Sequence, residues 1–348
     1  MGILTKCAEF LIQSKVDGVR FDETLTLGRQ SLLVSPVRLA GMLRRHGCWP
    51  DGLTEAEFDR DLCREPYLAD PFFRILGAKN VSALDYSDFE DADVIHDLNL
   101  PIGPDLRERF DVVIDGGLLE HVFNFPTAIK NCMEMVKVGG RLILLTPANN
   151  FFGHGFYQFS PELFFRVLDK SNGFVVERMY AAEEDTEGSS FLGRAYRWER
   201  MGPFYDVADP AKQHARVLLR NKFPVLLHIQ ARRIHNGPIF HSFPQQSDYT
   251  ATWAGHQQAI APQPAREPQP AGRAGRLSLK SKLHLKLYLI QRIMRLANPF
   301  YWPWTYRKRS FRNRHIYRKV QDKPRVGSTP GPVYSSSAVS AAREVIDG

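Results

Sequence analysis

The chain has 348 residues, 43% apolar and 24% charged, which is the length of about two domains and enough apolar content for a sizeable core. Its cysteines, Cys7, Cys48, Cys63 and Cys132, form no C-x-x-C pair and no metal spacing, which argues against a disulfide scaffold or a cysteine-framed metal site and for reduced thiols in a cytosolic protein. Of the net charge of +8, residues 273–325 carry +15 (16 Lys/Arg against the single acid Asp322), leaving −7 for an otherwise acidic body.

In chain order, residues 3–15 place Ile3, Cys7, Phe10 and Leu11 at helical spacing and predict a short amphipathic helix. "TLTL" (24–27) is the first strand. "SPVRLAGMLRRHG" (35–47) is a helix with Ser35 as cap, Pro36 in the first turn and Gly47 as stop. "NVSALDYS" (80–87) and "ADVIHDLN" (92–99) give the second and third strands, and "FDVVIDGG" (110–117) a buried fourth. "PTAIKNCMEMVKVGG" (126–140) carries a helical apolar stripe and a Gly-Gly stop, and "RLILLTP" (141–147) is the fifth strand. A helix over 160–173 and a sixth strand over 174–180 follow. After an insertion (181–222) with a helix at 209–219, "FPVLLHIQARRI" (223–234) alternates as a seventh, edge strand. The stretch 44–72 is longer than a simple connection.

Strands alternating with helices imply an α/β, Rossmann-like, doubly wound seven-stranded sheet over residues 20–240, after an N-terminal helix in residues 1–19. Residues 241–276, rich in Pro, Gln, Ala and Gly, predict a disordered linker. A basic, aromatic segment (277–325) and a disordered tail (326–348) complete a largely disordered C-terminal extension. No run reaches the roughly 18 apolar residues of a membrane span, and no charged-then-apolar leader opens the chain.

Four features occur in fixed order: an acid ending the second strand (Asp85), an acid ending the third (Asp97), "FDVVIDGGLLEHV", and "VKVGGRLILLTP". As a set, with a reversed seventh strand, they resemble a class I S-adenosylmethionine-dependent methyltransferase. The resemblance is close over residues 80–180 and looser over 20–235.

The resemblance implies S-adenosylmethionine as cofactor, with Asp85 on the ribose hydroxyls, Asp97 at the adenine, and Asp115, Gly116 and Gly117 beside the cofactor. The plain alternatives are turn caps for the two acids and a tight turn for the glycines. The family's first strand ends in a G-x-G-x-G-like loop whose N–H groups hold the methionine carboxylate. Here Gly28 is its sole relic. Arg29, with Gln30, is the expected substitute, because a guanidinium can grip a carboxylate bidentately. The alternative is a solvated loop that binds nothing.

The loop after the fifth strand, "PANNFFGHGFYQFSPELFF", faces the substrate side and offers His154 and Tyr157 as catalytic candidates. Its phenylalanines are expected to wedge the loop onto the core, and Glu120 and His121 to be a satisfied structural pair. There is no H-E-x-x-H or P-loop pattern, and no metal is expected. The Asn/Asp-Pro-Pro-aromatic turn of base N-methyltransferases is replaced by "DGGLLEH".

The expected activity is O-methylation of a glycan, lipid-linked sugar or small-molecule acceptor. The alternatives are a non-catalytic binding protein of the same fold and an RNA-modifying methyltransferase. For residues 277–325 the expected partner is an anionic membrane surface at the inner face of the membrane, ahead of nucleic acid, with a protein-docking arm as a third reading.

Overall fold

The structure, a computed structural model, describes residues 2–62, 68–183, 202–213, 216–260 and 309–320. Most of the basic segment (277–308 and 321–325), the tail and Cys63 lie outside the described residues.

The chain opens with β1 (Gly2–Leu4) and α1 (Thr5–Val16), then β2 (Glu23–Leu27), β3 (Ser31–Leu33) and α2 (Pro36–Arg45). α3 (Glu55–Leu62) and α4 (Asp70–Ile75) occupy the long connection to β4 (Asn80–Asp85). β5 (Val94–Ile95), β6 (Phe110–Asp115), α5 (Phe125–Met135) and β7 (Val136–Pro147) follow. The remaining elements are α6 (Pro161–Val167), β8 (Phe174–Glu183), β9 (Tyr205–Val207), α7 (Pro210–Gln213), β10 (Val225–Arg233), α8 (Ser247–Ile260) and β11 (Tyr317–Lys319).

One sheet dominates, in the order β11-β9-β8-β10-β7-β6-β2-β4-β5; β1 and β3 form a separate parallel pair. β5, β4, β2, β6 and β7 are mutually parallel, and β10 runs antiparallel to both its neighbours. The central strands read as unbroken apolar runs because both faces of the sheet are covered. Alternate residues go to opposite cores. Val113, Leu142 and Leu144 pack with Ala128, Ile129 and Cys132 of α5 and Phe164 of α6. Val112, Ile114, Ile143 and Leu145 pack with Phe10 and Leu11 of α1, Leu39 of α2 and Phe72 of α4.

Five expectations are corrected. The seventh strand, β10, is not an edge. It lies between β7 and β8, and its apolar residues feed both cores, which is why Leu226, Leu227, Ile229 and Ala231 are all buried. The sheet has nine strands because β9 and β11 extend it beyond β8. Gly139 and Gly140 do not stop α5, which ends at Met135. They sit in a bulge of β7, where the register against β6 shifts and Gly139 takes φ +85°.

Finally, parts of the sequence beyond residue 240, expected to be disordered, are folded; residues 261–276 of the expected linker lie outside the described residues. α8 is held at its start by Glu162, which accepts from the Ser247 N–H at 2.7 Å, and by Arg216 on Asp248. Residues 309–320 dock on the sheet: Phe311 stacks on Tyr205 at 4.1 Å, and Tyr317 is buried. An unpaired edge at β9 and two aromatic rings account for this docking. α1 also departs from a simple amphipathic helix. It is buried nearly all round, and its charged residues Lys6 and Glu9 pair with each other at 2.7 Å.

Candidate functional site

The chain moves outward from β2 to β4 and β5, then returns to β6 on the other side of β2. The carboxyl ends of β2 and β6 are therefore the switch point of the sheet, where open α/β folds bind ligands. Asp85 ends β4 beside it. One of its oxygens accepts from the Tyr86 N–H at 2.6 Å, and the other takes no hydrogen bond from a described residue. Asp97, just beyond β5, accepts from the backbone and side-chain N–H groups of Asn99 at 2.9 and 2.8 Å. These bonds hold its carboxyl below the usual range. Both acids thus cap their turns, and each keeps an oxygen for a ligand.

The turn after β2 is arranged differently from the expected cradle. Gly28 has φ +68° and donates its N–H to the Leu84 carbonyl at 2.7 Å. Arg29 does not stand free to grip a carboxylate. Its Nε donates to the Glu90 carbonyl, Nη1 to Asp70 at 2.9 Å, and Nη2 to the Asp91 carbonyl and Asp93 at 3.0 Å. Every nitrogen of the guanidinium is partnered, and the side chain braces the loop between β4 and β5 against α4. Gln30 is buried. Its Nε2 donates to the carbonyls of Leu27 (2.7 Å) and Gly28 (3.2 Å), while its Oε1 is buried without a partner. The amide lies directly on Gly116, where any Cβ would collide with it. The close approach that Gly116 permits is therefore made by Gln30.

Asp115 does not face a cofactor either. It is fully buried and caps the following 3-10 turn, accepting from the Leu118 N–H at 2.8 Å and the Leu119 N–H at 3.3 Å. Gly117, at φ +98°, turns the chain so that Glu120 folds back beside it. Burial raises the Asp115 carboxyl to about 6. Burial, and then the charge of Asp115, push Glu120 up to about 8.

The loop after β7 lies on this pair. His154 Nε2 sits 3.6 Å from Glu120 Oε1, with the His154 side chain 47% exposed and that of Glu120 1%. The His121 and His154 ring centroids are 5.2 Å apart, and Phe151 packs on His154 from the other side at 5.4 Å. His121 is held below the usual imidazole range by partial burial and then by His154. The N–H groups of Phe156 and Tyr157 both donate to the Glu120 carbonyl, at 2.9 and 3.2 Å.

Tyr157 is engaged in packing the loop. Its hydroxyl donates to the Phe123 carbonyl at 2.6 Å, and its ring joins Phe125 and Phe159. Of the loop's phenylalanines, Phe151 and Phe159 are buried wedges as expected. Phe156 (68% exposed) instead stands out edge-on against Phe123 (73%), and Phe152 is 98% exposed.

Taken from β5 to β8, the sheet presents the third, second, first, fourth and fifth parallel strands. The reversed seventh is seated between the fifth and the sixth. The chain has the class I methyltransferase fold.

Solved structures to which it is similar include the BH2331 protein of Bacillus halodurans C-125 (14% identity, TM-score 0.31, 66% of this chain and 99% of that one). Another is YcgJ of Bacillus subtilis (11%, 0.33, 66% and 99%). A third is the branched-chain polyamine synthase of Thermus thermophilus, in complex with N4-aminopropylspermidine and 5'-methylthioadenosine (9%, 0.31, 70% and 61%). No family model and no curated protein matches the chain.

On this methyltransferase fold, the residues that sequence reasoning underrated are Glu120 and His121. The signal was present in "LLEHV" directly after the fourth strand, but only the folded chain brings His154 to them. A cavity of about 850 Å³ lies elsewhere, lined by Arg166, Asp169, Asp248 and Thr252 among others, and contains none of the residues at the switch point. Among the described residues, no helix is long and apolar enough to cross a membrane.

Proposed function

We propose that the chain binds S-adenosylmethionine across the carboxyl ends of β2, β4, β5 and β6 and O-methylates a hydroxyl of a glycan, lipid-linked sugar or small-molecule acceptor. The observation that carries the reading is the composition of that edge. Asp85 and Asp97 each keep an oxygen for a ligand on one side of the switch point, and Glu120, His121 and His154 converge on the other. Asp85 would accept from the ribose hydroxyls and Asp97 from the adenine amino group. When bound, S-adenosylmethionine supplies a methyl carbon on a cationic sulfur.

The chain's own task is to position an acceptor hydroxyl, exclude water and remove a proton. The polar cluster serves the last step. The exposed, edge-packed rings of Phe123 and Phe156 give an apolar platform for the body of the acceptor. A lipid-linked acceptor also suits the +15 segment, whose charges favour an anionic leaflet.

The adenosine end of the cofactor fits these residues. The methionine end does not fit while Gln30 covers Gly116 and Arg29 is spent on Asp70 and Asp93. That observation favours a second reading, a binding protein of the methyltransferase fold without turnover.

Calorimetric titration with S-adenosylhomocysteine and with adenosine separates the two. Micromolar binding of S-adenosylhomocysteine supports the enzyme. Binding of adenosine alone, or of neither ligand, sinks it.

A further inference from the structure

Glu120 and Asp115 are a buried carboxylate pair without a cation. Both are at most 1% exposed, and Oε2 of Glu120 and Oδ2 of Asp115 have no hydrogen-bond partner among the described residues. No described lysine or arginine forms an ion pair with either. Desolvating a carboxylate is costly unless a counter-charge or donors compensate. Among the described residues, two imidazoles approach the pair, His121 on the 3-10 turn Leu119–His121 and His154 on the loop after β7, while the buried Cys132 thiol near Asp115 offers no positive charge.

The ligand atoms of Glu120, His121 and His154 all lie within 4.8 Å of one another, and the Glu120–His154 pair is already at 3.6 Å. Around a divalent ion with bonds of about 2.0–2.2 Å, neighbouring ligand atoms stand about 3–3.5 Å apart. The remaining closure is therefore about 1.8 Å at most, and the half-exposed His154 side chain can contribute to it. Gly155 is part of the same arrangement. A side chain there would strike the His121 ring and the Glu120 carbonyl, so only glycine lets the loop lie on the cluster.

We infer that Glu120, His121 and His154 form a binding site for one divalent transition-metal ion, with open coordination positions toward solvent. Two imidazoles and one carboxylate suit Zn²⁺, Co²⁺, Fe²⁺ or Mn²⁺ better than Mg²⁺, which prefers an all-oxygen shell. Three protein ligands leave the ion able to take a further ligand. Asp115 adds negative charge behind Glu120 and favours the cation. The role of the open position rests on the methyl-transfer reading: there the ion would polarise an acceptor hydroxyl and lower its pKa. The site itself stands apart from that reading.

The test uses the full-length chain without a histidine tag, stripped with a chelator and titrated with CoCl₂ and then ZnCl₂. One equivalent of Co²⁺ should bind with visible absorption bands, and Zn²⁺ should displace it. His154→Ala and His121→Ala should each weaken binding at least about tenfold, since even supporting partners of a metal site carry that much. Zn²⁺ should raise the unfolding temperature of the unmutated chain and leave that of His154→Ala unmoved. Far-UV circular dichroism checks that the variants fold, and titration of the same samples with S-adenosylhomocysteine scores the methyl-transfer reading separately. Absence of stoichiometric binding, or binding that survives both histidine substitutions, would overturn the site.

Discussion

Replacing Glu120 by glutamine keeps the shape of a buried side chain and removes one titrating proton. In the folded chain the carboxyl is raised to about 8, first by burial and then by Asp115, against an ordinary value of 4.5. The folded state therefore holds a proton that the unfolded state has released throughout that interval. The stability this contributes is complete below about pH 4.5 and is lost as pH rises toward 8. One such proton gives a slope of about 1.4 kcal/mol per pH unit.

Between pH 5 and pH 7 the stability difference between the unmutated chain and Glu120→Gln should therefore change by roughly 2–3 kcal/mol, in favour of the variant at the higher pH. Asp115, raised to about 6, adds a slope of the same sign in both proteins and largely cancels in the comparison. Urea unfolding at pH 5, 6, 7 and 8 in the presence of a chelator measures it. Parallel stability curves for the two proteins would show that Glu120 is already ionised in the fold, and the account of the buried pair would be wrong.

Asp85→Ala should weaken S-adenosylhomocysteine by about 1.5–3 kcal/mol in a calorimetric titration, the scale of a hydrogen bond to a charged group; unchanged affinity would remove Asp85 from the ribose. Arg29→Ala should destabilise the chain by about 1–3 kcal/mol, because Asp70 and two carbonyls lose their donor. It should weaken S-adenosylhomocysteine and adenosine in equal proportion, and a loss confined to the former would restore the carboxylate grip. His154→Ala should lower turnover on an identified acceptor and leave cofactor affinity unchanged, with equal turnover counting against the cluster. The full chain should sediment with anionic vesicles at low salt and release as ionic strength rises. Charge reversal at Lys280, Lys282, Lys286, Arg292 and Arg295 should abolish this, and preference for single-stranded RNA over vesicles would reverse the assignment. Truncation near residue 240 is the wrong comparison, since it also removes β11 and uncovers β9.

The parallel half of the sheet was legible because burial on both faces writes itself as apolar runs. Phe110–Asp115 and Leu142–Leu145 could be read directly, and Pro36 and the acids Asp85 and Asp97 marked the ends of their elements. Strand order was less legible. An alternating run such as Val225–Arg233 looks like an edge when periodicity is read alone, yet its two neighbours come from residues 136–147 and 174–183. β11 was hidden for the opposite reason. Its residues are mostly basic, and its place depends on Phe311, which packs edge-on against Tyr317 and stacks on Tyr205 about a hundred residues earlier.

The site divides along the same line. A carboxylate at a strand end carries its position with it, so Asp85 and Asp97 could be named from local sequence. The Glu120–His121–His154 grouping depends on the loop after β7 folding back across the end of β6, and no spacing between 121 and 154 announces that. The cradle shows the converse limit. Arg29 has the right chemistry for a carboxylate, but chemistry alone does not say which carboxylate. Asp70 and Asp93 reach it first, because α4 and the loop before β5 are built against the end of β2. Gln30 then covers the glycine that a ligand backbone would need. The single glycine at the end of the first strand therefore belongs to a turn closed by its own neighbours. Cofactor binding at this edge must depend on the Gln30 amide giving way, or on an adenosine-side grip strong enough without it.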